Sequence, residues 1–166
     1  LACDADTEIT VTAGATEALF CAIAAVVHAG DEVIVLDPAY DSYDPVIRLQ
    51  GAVPVHVSLM APAYRIDWDR IEAAITANTR LLILNSPHNP TGMVMDESDI
   101  AALSALCAKY DIYLIGDEVY EHMVFDQAKH LSLCGYAELY ARSFVISSFG
   151  KTYHVTGWKV GYCVAP

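Results

Sequence analysis

The sequence predicts a three-layer α/β/α domain built on a mainly parallel sheet. Three observations carry this expectation. Short apolar runs alternate along the chain with helical stretches. The runs EVIVLD at 32–37, RLLILN at 80–85 and SFVISS at 143–148 are nearly unbroken, as in strands covered on both faces. The polar segments TAGAT, SPHNPTG, DEVYEH and SSFGKTYHVTGWK each follow a strand. In an open α/β sheet, sites form beyond the carboxyl ends of the strands, so these distant segments can converge there.

Residues 8–12 (EITVT) read as a strand, and Ala15 to His28 as a helix punctuated by Gly30 and Asp31. Strand 32–37 follows, then a helix over roughly 41–50 that stops at Gly51, then a strand over 53–57. A helix over 68–76 starts from Asp67 as its cap. Strand 80–85 runs into SPHNPTG, and a helix covers 97–109. Strand 112–116 runs into DEVYEH and strand 143–148 into FGKTYHVTG, and 160–164 closes the chain. No low-complexity linker and no short repeat divides these elements, so they read as one domain of a longer protein.

Composition narrows the function. The formal net charge of -12, with no basic cluster, argues against a nucleic-acid partner. It does not exclude an anionic cofactor, which backbone amides and one or two cations can hold. The longest apolar stretch, Leu19 to Val27, is too short to span a bilayer, so no membrane partner is expected. Five cysteines without a C-x-x-C pair favour a reducing compartment, and a cytoplasmic location is expected. None of the six histidines stands in HExxH or another tight metal spacing, and no metal is expected, although His88 and His122 are candidates to line a pocket. No G-x-S-x-G elbow occurs. Gly150-Lys151-Thr152 is not a phosphate-binding P-loop, because Val145 stands where that motif requires glycine.

Lys151 follows a strand and a glycine turn. It reads either as a solvent-facing lysine or as an amine that condenses with an aldehyde. Asp117 ends an apolar strand, where a carboxylate needs a partner such as a salt bridge or a protonated heterocyclic nitrogen. Glu118 is a second candidate, but the next residue of a strand end points elsewhere. Tyr120 and Asn89, the latter in a proline-bracketed turn, can both hydrogen-bond a ring oxygen. Gly14, Ala15 and Thr16 lie between a strand and a helix, where amides can cradle a phosphate, with Ser148 and Lys159 as supplements. Tyr40 can stack on a flat ring or cover the core. Tyr43, Trp68 and Trp158 read as packing residues.

Taken together, TAGATEAL at 12–19, DPAYDSY at 37–43, NSPHNPTG at 85–92, DEVYEHMVFD at 117–126 and SSFGKTYHVTGWKVGY at 147–162 resemble the class I/II aminotransferases, the fold-type-I pyridoxal-phosphate family. The resemblance covers practically the whole chain, and its subgroup is the branch acting on methionine, glutamine, kynurenine and aromatic amino acids. It implies pyridoxal 5'-phosphate as cofactor. By this resemblance Lys151 matches the lysine that binds the cofactor and shuttles the proton. Asp117 matches the partner of the ring nitrogen, and Tyr120 and Asn89 match the contacts to the ring oxygen. Tyr40 matches the stacking aromatic. Gly14 lies in the phosphate cradle, where the Ala15 and Thr16 amides, Ser148 and Lys159 match the contacts. Many relatives carry arginine at the Lys159 position; lysine keeps the charge without the rigid fork.

The resemblance further implies that residues 1–166 are the central part of the large cofactor-binding domain. The N-terminal segment and C-terminal small domain lie outside this chain, and so does the arginine that binds the substrate carboxylate. It implies an antiparallel last strand and a homodimer. Amino acids and 2-oxo acids are the expected substrates, with a methionine-like donor favoured. A carbon–sulfur β-lyase and a non-catalytic regulatory domain on the same core are the alternatives.

Overall fold

The computed structural model describes residues 3–166. Seven strands and six helices follow in the order β1 (Ile9–Thr12), α1 (Ala15–Val26), β2 (Glu32–Asp37), α2 (Tyr43–Leu49), β3 (Val53–Ser58), α3 (Trp68–Ala74), β4 (Thr79–Asn85), α4 (Glu97–Lys109), β5 (Tyr113–Asp117), α5 (Ala137–Tyr140), β6 (Ser143–Ser148), α6 (Phe149–Thr152) and β7 (Gly161–Val164). Short 3-10 turns stand at Leu133–Gly135 and Thr156–Trp158.

All strands join one sheet in the order β1-β7-β6-β5-β4-β2-β3. The pairs from β3 through β6 are parallel, and β7 runs antiparallel to both β6 and β1. Alternation within the apolar strands builds two cores. Val33, Val35, Leu81, Ile83, Ile115 and Ile146 meet α1 and α2 on one face. Ile34, Leu36, Leu82, Leu84, Leu114 and Val145 meet the other face, beside Ile71 of α3 and Leu103 of α4. This is the three-layer arrangement the unbroken strands predict.

The differences from expectation have local causes. Helix α1 stops at Val26 rather than His28, because Val27 turns extended while its N–H still bonds the Ile23 carbonyl. Asp117 belongs to β5 itself, paired in register with Asn85 of β4. The chain leaves β2 outward to β3, whereas β4, β5 and β6 follow on the other side. That reversal opens a crevice at the carboxyl ends of the parallel strands. Because β7 is antiparallel, its first residue, Gly161, pairs with both Ser148 and Thr12, which brings the start of α1 to the same end. No helix among the described residues is long and apolar enough to cross a membrane.

Candidate active site

One cleft at that end is lined by all ten residues expected from the sequence: Gly14, Ala15, Thr16, Tyr40, Asn89, Asp117, Tyr120, Ser148, Lys151 and Lys159. Asp117 is 5% exposed. Its Oδ2 accepts a hydrogen bond from the Tyr43 hydroxyl at 2.6 Å, and its Oδ1 lies 3.4 Å from the Val119 N–H. Burial pushes its carboxyl up to about 6; the bonds from Tyr43 and Val119 pull the other way, and the Glu118 charge adds to the rise. Among the described residues no cation forms an ion pair with it. Burial and the Asp117 charge hold the Tyr43 phenol well above its ordinary range, so it remains a donor.

Glu118 does point elsewhere. It is 3% exposed, with Oε2 2.8 Å from His130 Nε2 and Oε1 accepting the Leu133 N–H at 2.9 Å. It ties down the segment after β5, whose first turn carries Tyr120, with the Met123 N–H bonded to the Tyr120 carbonyl at 2.8 Å. Lys151 Nζ lies 5.9 Å from the centre of the Tyr120 ring. On β4, Asn85 Nδ2 donates to the Asp117 carbonyl at 2.8 Å, and Asn85 Oδ1 accepts the Asn89 N–H at 2.7 Å. One buried amide therefore sets the Asn89 turn against the end of β5.

At the other side of the cleft, Gly14 takes φ 85 and ψ 167 as α1 begins, and no side chain caps that helix. A Cβ on Gly14 would stand 3.6 Å from Lys159 Cδ. A Cβ on Gly161 would meet the Ala15 nitrogen at 2.5 Å. Gly161 thus lets β7 close upon the first-turn amides, and Gly14 supplies the positive φ from which α1 starts, where a helix N-terminus favours an anion. Ser148 stands at the N-cap position of the short helix α6, which carries Lys151, without a side-chain capping bond. The expected glycine turn before Lys151 is thus a helical one. Gly150 suits the tight space there, since a Cβ would stand 3.0 Å from Thr156 Cα. Neither Lys151 nor Lys159 forms a salt bridge among the described residues.

Other expectations change. Tyr43 does pack in the core, at 3% exposure, but it also holds Asp117. Trp158 is 76% exposed, so it is not a packing residue. Trp68 packs, half-buried, against the core as expected, and its indole also donates to Asp99 Oδ1 at 3.0 Å. His88 and His122 do not line the cleft: His88 is buried against the Thr91 hydroxyl, and His122 faces solvent. Glu118, Glu121 and His130 have ligand atoms within 4.8 Å of one another. Leu133 N–H, Ser147, Tyr162 and the Glu118–His130 pair itself already engage those atoms.

A family profile for aminotransferase class I and II matches residues 1–166. The chain belongs to that family. The methionine aminotransferase of Escherichia coli is 54% identical over 163 residues, covering 98% of this chain and 42% of the relative. Human kynurenine–oxoglutarate transaminase 3 is 40% identical over 173 residues, covering 98% of this chain and 38% of that protein. The E. coli structure superposes with a TM-score of 0.96 over 99% of this chain and 43% of its own. N-succinyldiaminopimelate aminotransferase from Mycobacterium tuberculosis, 43% identical, also gives 0.96, over 100% of this chain and 44% of its own. The chain therefore spans less than half the length of these relatives.

The family works with pyridoxal phosphate, and this cleft fits that group. The buried Asp117 carboxylate has hydrogen-bond donors but no cation, which suits a protonated ring nitrogen. The glycine-lined start of α1 with Lys159 suits a phosphate, and the Lys151 amine suits an aldehyde.

Proposed function

We propose that the full-length protein is a pyridoxal-phosphate-dependent aminotransferase, of which these residues are the central part of the large domain. It moves the amino group of a neutral or aromatic L-amino acid, methionine-like by preference, to a 2-oxo acid. The observation that carries the reading is Asp117, a buried carboxylate without a cation in the same cleft as the amine of Lys151. The 54% identity to a methionine aminotransferase supports the donor class.

Asp117, held by the Tyr43 hydroxyl, would keep the ring nitrogen protonated. Tyr120 and Asn89 would hold the ring oxygen, and Tyr40 would stack on the ring, as residues of one cleft. Gly14, Ala15, Thr16, Ser148 and Lys159 would hold the phosphate. When bound, the cofactor supplies an electron sink for charge left at the substrate Cα. Lys151 Nζ takes the proton from that Cα and returns one, as general base and then acid. The protein acts as a homodimer in the cytoplasm. Exposed Phe149, Tyr153 and Trp158 beside the lysine segment support a covered face, and five free cysteines support a reducing compartment.

The test is borohydride reduction of the full-length protein followed by peptide mass spectrometry, alongside a donor-by-acceptor transamination screen. The expected adduct lies on Lys151 and is absent from Lys151→Ala. The expected turnover is highest with methionine-like donors. An adduct on Lys109, Lys129 or Lys159, or release of pyruvate and ammonia from cystathionine without transamination, would contradict the reading.

A further inference from the structure

His56 lies on β3, the edge strand, and lines none of the cleft. Both of its ring nitrogens nevertheless face carboxylates. Nδ1 lies 3.0 Å from Asp37 Oδ1, and Nε2 lies 3.3 Å from Asp44 Oδ1. Asp37 is the last residue of β2, and Asp44 is the second residue of α2. The chain between them carries Tyr40 and Tyr43, whose turn is closed by the Tyr43 N–H bonding the Tyr40 carbonyl at 3.2 Å. His56 therefore spans the two feet of the segment that brings one tyrosine to the cleft wall and the other to Asp117.

We propose that His56 is a positioning residue for the site: as an imidazolium it bridges Asp37 and Asp44 and so fixes the turn that presents Tyr40 and Tyr43. The inference deepens the pyridoxal-phosphate reading of the cleft and rests on it. A carboxylate is acceptor-only, so satisfying both contacts requires an N–H at each ring nitrogen, which only the protonated ring has. The charged groups around the ring are Asp37 from β2 and Asp44 from α2, with Arg48 of α2 on the other oxygen of Asp44 at 3.5 Å. No other residue of β3 is ionisable. Partial burial lowers the His56 pKa, but the hydrogen bonds and charges of the two aspartates outweigh it and raise the ring above its ordinary value. A group raised in the folded state contributes fully below its ordinary pKa and loses its contribution as pH rises through the folded value. The bridge is therefore strongest in mild acid and released in base.

The test measures the pyridoxal-phosphate dissociation constant of the full-length protein across pH for the parent, His56→Asn and His56→Arg. For a partly exposed bridge, His56→Asn should bind about twofold to fivefold more weakly than the parent at about pH 6. That ratio should fall to about one at about pH 9, where the parent ring is neutral. His56→Arg, always charged and forked, should recover affinity at both ends. A ratio for His56→Asn that stays constant across pH, or equals one at the acid end, would overturn the proposal. If the protein takes up no pyridoxal phosphate at all, the functional reading fails. The bridge then stands or falls on hydrogen exchange: the Tyr40 and Tyr43 amides should exchange faster in His56→Asn than in the parent in acid, and equally in base. Equal exchange in acid would overturn it.

Discussion

Asp99 and Asp117 are the same residue type with nearly the same burial, 3% and 5% exposed, yet their surroundings are opposite. Asp99 lies in the first turn of α4. Its Oδ2 accepts from Arg65 at 2.7 Å and from the Asp96 N–H at 3.0 Å, and its Oδ1 accepts from the Trp68 indole. Asp117 ends β5 with a tyrosine hydroxyl, a long amide contact and no cation. Every demand of Asp99 is met within the chain, and it serves the fold. Asp117 has no such ion pair among the described residues, and burial, helped by the Glu118 charge, pushes its carboxyl up to about 6. A buried carboxylate kept without its counterion is a cost to the fold, retained where a ligand supplies the cation.

The largest expected contrast is in turnover. In the cofactor-saturated full-length protein, Asp117→Asn should lower kcat/KM by on the order of a hundredfold to ten-thousandfold, through lost electrostatic stabilisation. Asp99→Asn should leave it within about threefold. Equal losses in steady-state kinetics would erase the contrast. Stability should rank the two residues the other way. Asp99→Ala removes the reciprocal half of the α4 capping box and the bonds to Arg65 and Trp68, and should cost about 3 kcal/mol in urea unfolding.

The cofactor-free protein sharpens the contrast by pH. The Asp117 carboxyl is raised in the folded state, to about 6, so the native state binds more protons than the unfolded chain between its ordinary value and that one. Its ionisation should therefore remove stability as pH rises from about 4 to about 6, by about 3 kcal/mol in all. Urea unfolding across that window should show this slope in the parent and not in Asp117→Asn. The smallest expected effect belongs to Tyr43→Phe. Loss of one hydrogen bond to the carboxylate should lower kcat/KM about tenfold while the core remains packed. A variant with parental kinetics would detach Tyr43 from the site.

The sequence made the sheet and most of the cleft legible, because unbroken apolar strands locate themselves and the chemistry follows each strand end. What it concealed is what only register and distance create. The Tyr43–Asp117 bond joins residues 74 apart, and nothing near Tyr43 separates a core tyrosine from one that reaches a carboxylate. Asn85 ends an apolar strand beside a more conspicuous turn, and an amide closing an otherwise apolar run is the signal that could have exposed it. His56 reaches Asp37 only because β3 lies parallel to β2 at the register that sets His56 opposite Val35, two residues before Asp37. The glycine before Lys151 read as a turn, but its absent side chain makes room for Thr156, a contact with no local pattern.

The central claim is that Asp117 waits for a cation that the cofactor brings. Thermal unfolding of the full-length parent and Asp117→Asn, each with and without pyridoxal phosphate at neutral pH, tests it most directly. Without cofactor, Asp117→Asn should melt higher than the parent, because an uncompensated charge has gone. With cofactor, the parent should melt higher, because the charge is now paired. The same ranking in both states would contradict the account.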